Sequence, residues 1–116
     1  MNRIYGDGGG KIRLTKFQER VYAALIEVPP GKVITYGALG RRIGCGSAQA
    51  VGQALRVNPF APGVPCHRVV AADGSLCGYN GKREGKQVRR KRNLLESEGV
   101  AFLPDGCVVP SAIMKV

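Results

Sequence analysis

Phe17, Val21, Ala24, Leu25 and Val28 recur at the three- and four-residue spacing of an amphipathic helix. Thr15, three residues ahead of Gln18, has the form of a capping box at its start. Pro29-Pro30-Gly31 ends that helix, because proline lacks an amide proton and clashes with the preceding turn. A short run, Lys32-Val33-Ile34, leads to Thr35 as a second cap. Two short helices follow. One covers 36–43 with Ala38, Leu39 and Ile43 inward and Gly44 as its stop; the other runs from Ser47 to Val57 and buries Val51, Ala54 and Leu55. Joined by Gly44-Cys45-Gly46, they make a helix-turn-helix pattern. Asn58-Pro59 breaks the second helix, and a Pro- and Gly-rich connection leads onward. Val69-Val70-Ala71-Ala72 then meets Asp73-Gly74, the signal for a type I′ hairpin returning through Ser75-Leu76-Cys77. A last helix spans 86–97 and stops at Gly99, and 100–109 reads as a second hairpin turning at Asp105-Gly106.

These elements predict a mainly α domain with short β hairpins, a small α/β-type domain on a helix-turn-helix, winged-helix-like core. A length of 116 residues suits one domain. Gly6, Gly8, Gly9 and Gly10 make 1–12 a flexible arm, 13–110 the domain and 111–116 a tail. There is no internal repeat and no interdomain linker. No apolar run is long enough to span a membrane, and the N-terminus lacks the apolar stretch of a signal peptide. A cytoplasmic monomer with no membrane partner is expected.

Charge narrows the class. Eighteen Lys and Arg oppose eight Asp and Glu, a formal net charge of +10. Such a surplus points to an anionic partner, most often nucleic acid; ribosomal association or plain solubility gives the same balance. Residues 82–92 hold Lys82, Arg83, Lys86, Arg89, Arg90, Lys91 and Arg92 against Glu84 alone. That run is either a solvated helix face or a set of phosphate contacts.

Pro65-Cys66-His67-Arg68-Val69 contains the only histidine in the chain. A thiol is nucleophilic only as thiolate, and an imidazole is one of the few side chains able to take its proton near neutral pH. Cys66 is therefore a candidate nucleophile with its own base; the alternative for His67 is a core imidazole bonded to a carbonyl. Cys45, Cys77 and Cys107 read as small, partly buried and unpaired. With one His and no Cys-x-x-Cys, zinc spacing is absent, and no metal or other cofactor is expected.

Several motifs in order carry a resemblance. Gly31-Lys32-Val33-Ile34-Thr35-Tyr36-Gly37, Ala50-Val51-Gly52-Gln53-Ala54-Leu55-Arg56, Asn58-Pro59, the Cys66 pentapeptide, Gly78-Tyr79 and Leu94-Leu95-Glu96-Ser97-Glu98-Gly99 resemble the O6-alkylguanine-DNA alkyltransferases from about Thr15 to Val100. The resemblance implies single-turnover transfer of an alkyl group from guanine O6 in duplex DNA to Cys66 after base flipping. His67 would act as base through a water, and Glu98 would orient and polarise it. The helix beginning at Ser47 would enter the minor groove, with Ala48, Gln49, Gly52 and Arg56 on it. Small residues there (Ala48, Ala50, Gly52, Ala54) would allow close backbone approach. Tyr36 would crowd the target phosphate, Tyr79 would hydrogen-bond the flipped guanine, and Asn58 would pin the turn before the Cys66 loop.

Two positions depart from the family pattern. Where the family has an arginine that fills the hole left by the extruded base, this chain has Gln49. The segment 80–87 is longer than the family loop and carries Lys82 in place of a second glycine. In length and tail the chain also resembles the alkyltransferase-like proteins, which bind O6-alkylguanine without repairing it and hand it to excision-repair proteins. Those proteins usually carry Trp or Ala at the acceptor position, and this chain carries Cys66.

Overall fold

Thr15 caps the first helix through a reciprocal pair of bonds: its hydroxyl accepts from the Gln18 amide at 3.0 Å, and Gln18 Oε1 accepts from the Thr15 amide at 3.0 Å. The helix that follows, α1 (Lys16–Ile26), buries Val21, Tyr22 and Leu25. The computed structural model describes residues 3–7, 10–60, 63–76 and 86–114.

Thr35 and Ser47 cap the next two helices through their hydroxyls alone. The Thr35 hydroxyl accepts from the Ala38 amide at 3.1 Å at the start of α2 (Tyr36–Arg42), and Ser47 accepts from the Ala50 amide at 3.1 Å ahead of α3 (Ala48–Arg56). The helix-turn-helix is present as the spacing predicts. Its turn is a Schellman arrangement, in which the Gly44 amide bonds to the Arg41 carbonyl and the Cys45 amide to that of Gly40, with Gly44 at φ +73°. The chain doubles back so tightly that a Cβ at Gly40 would lie 2.7 Å from the Cys45 carbonyl oxygen and 3.4 Å from Val51. Glycine at 40 is what lets α2 and α3 meet at this angle.

Two residues from each of two strands sit at the centre. Strand β3 (Ile34–Thr35) pairs in parallel with β4 (Val69–Val70), Ile34 opposite Val69. Alternation along these short segments divides the interior. Ile34 and Val69 join the core made by α1, α2 and α3, whereas Val33 and Val70 join a second core with Leu76, Leu95, Val100, Val108 and Ala112. That second core is closed by α4 (Lys86–Ser97), which ends in another Schellman turn. The Gly99 amide bonds to Glu96 and the Val100 amide to Leu95, with Gly99 at φ +91°, so Glu98 stands at the C-cap.

Three expectations change. Residues 1–12 were expected to form a loose arm, yet β1 (Arg3–Asp7) pairs antiparallel with β2 (Gly10–Leu14). Of the glycines that suggest a lead-in, Gly6 lies in β1 and Gly10 opens β2. The tail is docked: Ala112 is buried, the Ala112 carbonyl accepts from the Val33 amide at 2.9 Å, and the Met114 amide donates to Val33 at 2.7 Å. The turn at Asp73-Gly74 is not type I′, which requires positive φ at both central residues. Only Gly74 has positive φ; its amide closes a four-residue turn on Ala71, and Asp73 Oδ1 accepts from the Ser75 amide. The turn at Asp105-Gly106 repeats this geometry from Leu103, and Phe102 bridges Val108 across it. Asp at the third position prefers negative φ and Gly the fourth, which gives a three-residue loop with a bulge.

Gly40→Ala is expected to lower stability by about 1–3 kcal/mol, the usual cost of overpacking, because the added methyl meets backbone rather than a movable side chain. Urea unfolding checks this, and an unchanged midpoint would remove the close approach as the reason for glycine.

Candidate active site

Asn58 fixes the loop that delivers Cys66. Its side-chain nitrogen donates to the Val64 carbonyl at 3.0 Å, and its oxygen accepts from the Phe60 amide at 2.9 Å. The Val64 amide returns to Phe60 at 3.0 Å, and the Cys66 amide bonds to Val64 at 2.8 Å. Cys66 then opens a 3-10 turn, Cys66–Arg68, that runs directly into β4. The thiol is half-buried and free.

Behind it His67 is only 6% exposed. Its Nε2 lies 3.0 Å from Glu98 Oε2, while Nδ1 is buried with no hydrogen-bond partner among the described residues. Glu98 is held by a second group. Arg68 donates from Nε to Oε1 at 2.9 Å and from Nη2 to Oε2 at 2.6 Å, a bidentate pair, and from Nη1 to the Val28 carbonyl at 2.8 Å. The Arg68 hydrogen bonds hold the Glu98 carboxyl below its usual range, with His67 adding to the effect and burial opposing it. A carboxylate at a helix C-terminus faces the negative end of the dipole, so this position depends on its cationic partner.

Tyr22 ties α1 to α3. Its hydroxyl donates to the Ala54 carbonyl at 2.7 Å, filling one of the orphan acceptors in the last turn of α3, and its ring meets Phe60 edge-on at 6.2 Å. Burial pushes the phenol up to about 12, and the Cys66 charge adds to the shift.

The face of α3 turned to solvent carries Ala48, Gln49, Gln53 and Arg56, with the Ser47 cap exposed beside it. Gly52 and Ala54 are buried with Val51 and Leu55, so their small size serves packing inside the domain. Tyr36 is half-buried at the start of α2, and Lys91 Nζ sits 5.8 Å from its ring centroid. Tyr79, Cys77 and the segment 80–85 lie outside the described residues. His67 and Glu98 thus meet directly behind Cys66, Asn58 holds the loop before it, and Tyr36 and Cys66 pack against the same core. Arg68 and Tyr22 were not singled out from sequence. Arg68 stood in the pentapeptide, but nothing local says which carboxylate it binds; Tyr22 falls at helical spacing with Leu25 and Ile26 and reads as packing.

The structure thus joins a free cysteine, followed by a carboxylate-bound histidine, to a helix-turn-helix domain. Comparison with known proteins places this combination in a family. Residues 16–100 match the profile of the 6-O-methylguanine DNA methyltransferase DNA-binding domain, and the chain belongs to that family. It is 48% identical over 88 residues to the methylated-DNA–protein-cysteine methyltransferase of Mycobacterium tuberculosis, covering 75% of this chain and 50% of that protein. The chain therefore spans about half the length of the curated relatives it matches. The crystal structure of M. tuberculosis OGT in complex with DNA superposes with a TM-score of 0.62 at 41% identity, covering 83% of this chain and 57% of that one. S. pombe Atl1, solved with DNA containing O6-carboxymethylguanine, superposes with a TM-score of 0.70 at 31% identity, covering 90% of this chain and all of that one (100%). Among the described residues no helix is long and apolar enough to cross a membrane.

Because the folded-state pKa of Tyr22 is raised, its contribution to stability is whole below the ordinary phenol value of 10.0 and is lost as pH climbs through about 12. Tyr22→Phe is expected to remove that alkaline loss and to cost about 1–3 kcal/mol at neutral pH by leaving the Ala54 acceptor without its donor. Urea denaturation of both proteins from pH 8 to pH 12 (approximately the accessible range) reads both effects, and parallel curves would show that the phenol does not titrate in this range.

Proposed function

We propose that this chain repairs O6-alkylguanine in duplex DNA by moving the alkyl group once to Cys66. The observation that carries this reading is the buried His67, with Nε2 seated on an arginine-clamped Glu98 and Nδ1 without a partner among the described residues. With Nε2 donating to the carboxylate, Nδ1 is the nitrogen that accepts a proton. The Cys66 proton passes to Nδ1 through a water, and Glu98 stabilises the imidazolium. The thiolate attacks the alkyl carbon; the sulfur–carbon bond forms as the carbon–O6 bond breaks, and the electron pair stays on the guanine. Tyr79, by the resemblance, supplies a proton to the departing base. The product is a thioether that nothing in this site cleaves, so one molecule repairs one lesion.

The substrate atom lies inside the double helix, so the base must be rotated out, at a cost of roughly a few kcal/mol. The exposed face of α3 enters the minor groove, with Tyr36 against the target phosphate and Gln49 at the gap. Such chemistry belongs in the DNA-containing compartment, in keeping with a cytoplasmic protein.

A second reading has its own support: Atl1 is matched over its whole length, and its structure holds a damaged duplex. On that reading the chain marks O6-alkylguanine for excision-repair proteins without accepting the alkyl group. Intact mass after incubation with O6-methylguanine duplex separates the two. One added methyl mapped to Cys66, absent in Cys66→Ala and slowed in Glu98→Gln, is the outcome expected of transfer. Tight lesion binding with no mass change would establish the marker instead.

Gln49→Arg is expected to improve lesion binding and transfer. Arginine adds reach, a planar stacking surface and a charge drawn to phosphates, whereas glutamine offers hydrogen bonds alone. Affinities for alkylated and plain duplex, with single-turnover rates, measure the gain. Identical values in both proteins would place another side chain in the gap.

A further inference from the structure

The basic run of α4 resolves into two flanks with different partners. Three- and four-residue spacing places Lys91, Leu94 and Glu98 along one flank, with Arg90 beside Leu94, and Arg89, Arg92 and Glu96 along the other. On the second flank Arg92 is occupied. Its guanidinium lies over Phe102 at 4.4 Å, and its Nε is 3.6 Å from Glu96. On the first flank Glu98 is taken up by Arg68 and His67, and Lys91 lies over Tyr36, at the first residue of the helix-turn-helix. Arg90 is exposed.

The recognition helix itself is poor in charge. Among the exposed residues of α3, Arg56 is the only cation, and Gln49 stands where the family has an arginine. At the end of α2, Arg42 pairs with Glu27 at 3.5 Å. A duplex seated on α3 alone would meet little positive charge, even though the chain carries a net +10. Arg41 is exposed in the last turn of α2, and the flank of α4 that continues from Tyr36 brings further cations against the helix-turn-helix. It is also the flank that ends at Glu98, beside the site the target base must reach.

From this juxtaposition we infer that Arg90 and Lys91 form a second contact surface for DNA phosphates, gripping the backbone beside the extruded nucleotide and supplying attraction that α3 lacks. Lys91 reaches the phosphate across the face of Tyr36, so the cation and the ring act on the same stretch of backbone. The inference rests on the reading of the chain as a duplex-binding alkyltransferase and assigns the part of that binding which depends on salt.

Fluorescence anisotropy with a plain labelled duplex, titrated with KCl, tests it. Each neutralised phosphate contributes about 0.9 to the slope of log affinity against log salt. Arg90→Gln with Lys91→Gln is expected to flatten the slope by roughly 1.8, and Arg90→Gln alone by roughly 0.9. The single variant leaves the Lys91–Tyr36 contact intact and so guards against local disruption. Arg89→Gln with Arg92→Gln removes the same net charge and is expected to leave the slope nearly unchanged. Equal losses from both pairs would show a diffuse charge effect and overturn the inference, as would no loss from either. A wild-type protein whose duplex affinity ignores salt fails the duplex-binding reading itself, and that result is visible before any variant is made.

Discussion

The carboxylate of Glu98 is the point on which the site depends. It stands at the C-cap of α4, where the helix dipole opposes a negative charge, and it is held there by the bidentate Arg68. The same guanidinium bonds the Val28 carbonyl just past α1. Three stretches far apart in sequence are thereby tied together: the end of α1, the Cys66 turn and the end of α4. His67 shares one of the carboxylate oxygens, so the ring cannot turn without breaking its bond to Glu98. Arginine suits this role because its planar fork makes several bonds at once; a lysine ammonium would bind the carboxylate as a point charge.

That clamp is useful only because the backbone around it is short and doubly anchored. The ladder between β3 and β4 comprises two residue pairs, yet it lies between two cores and sends alternate side chains into each. Tyr36 follows β3 and Cys66 precedes β4 by one 3-10 turn, so the ladder sets the spacing between the start of the helix-turn-helix and the nucleophile. Tyr22 adds a second tether, joining α1 to the last turn of α3 from beside Cys66. Cys66 and His67 therefore sit on a rigid frame, and on the proposed function the surface offered to a duplex is the outer face of α3 and its neighbours.

Local signals were legible in the sequence, and long-range partnerships were not. The caps at Thr15, Thr35 and Ser47, the stops at Gly44 and Gly99 and the spans of the three helices of the first core follow from spacing and capping chemistry acting within a few residues. The parallel pairing of Ile34 with Val69 joins runs of two residues, too short for periodicity to mark and separated by two helices. The N-terminal hairpin was missed because its glycines read as a loose arm, and the type of the Asp73-Gly74 turn because the dipeptide serves two loop lengths. Within the site, Cys66 and His67 announce themselves by adjacency, and Glu98 came through the family resemblance. The Arg68 clamp required the fold, since a guanidinium in sequence does not declare its carboxylate. Gly40 is similar: its reason is the Cys45 carbonyl against its Cα, a contact made only after the turn closes.

The division of charge across the molecule follows from these constraints. Near Cys66, the cation of Arg68 is committed to Glu98, so it fixes the carboxylate that binds His67 without offering itself to a phosphate. On α3, the buried face is filled by Val51, Gly52, Ala54 and Leu55, and the exposed face is nearly neutral. A neutral helix can approach the floor of a groove closely, but it gains little from the phosphates on either side. Attraction to the backbone then has to come from elements that flank the helix. On the proposed function, separating approach from attraction in this way lets residues on the exposed face of α3 vary, as Gln49 does, while attraction to the rest of a duplex is supplied from outside α3.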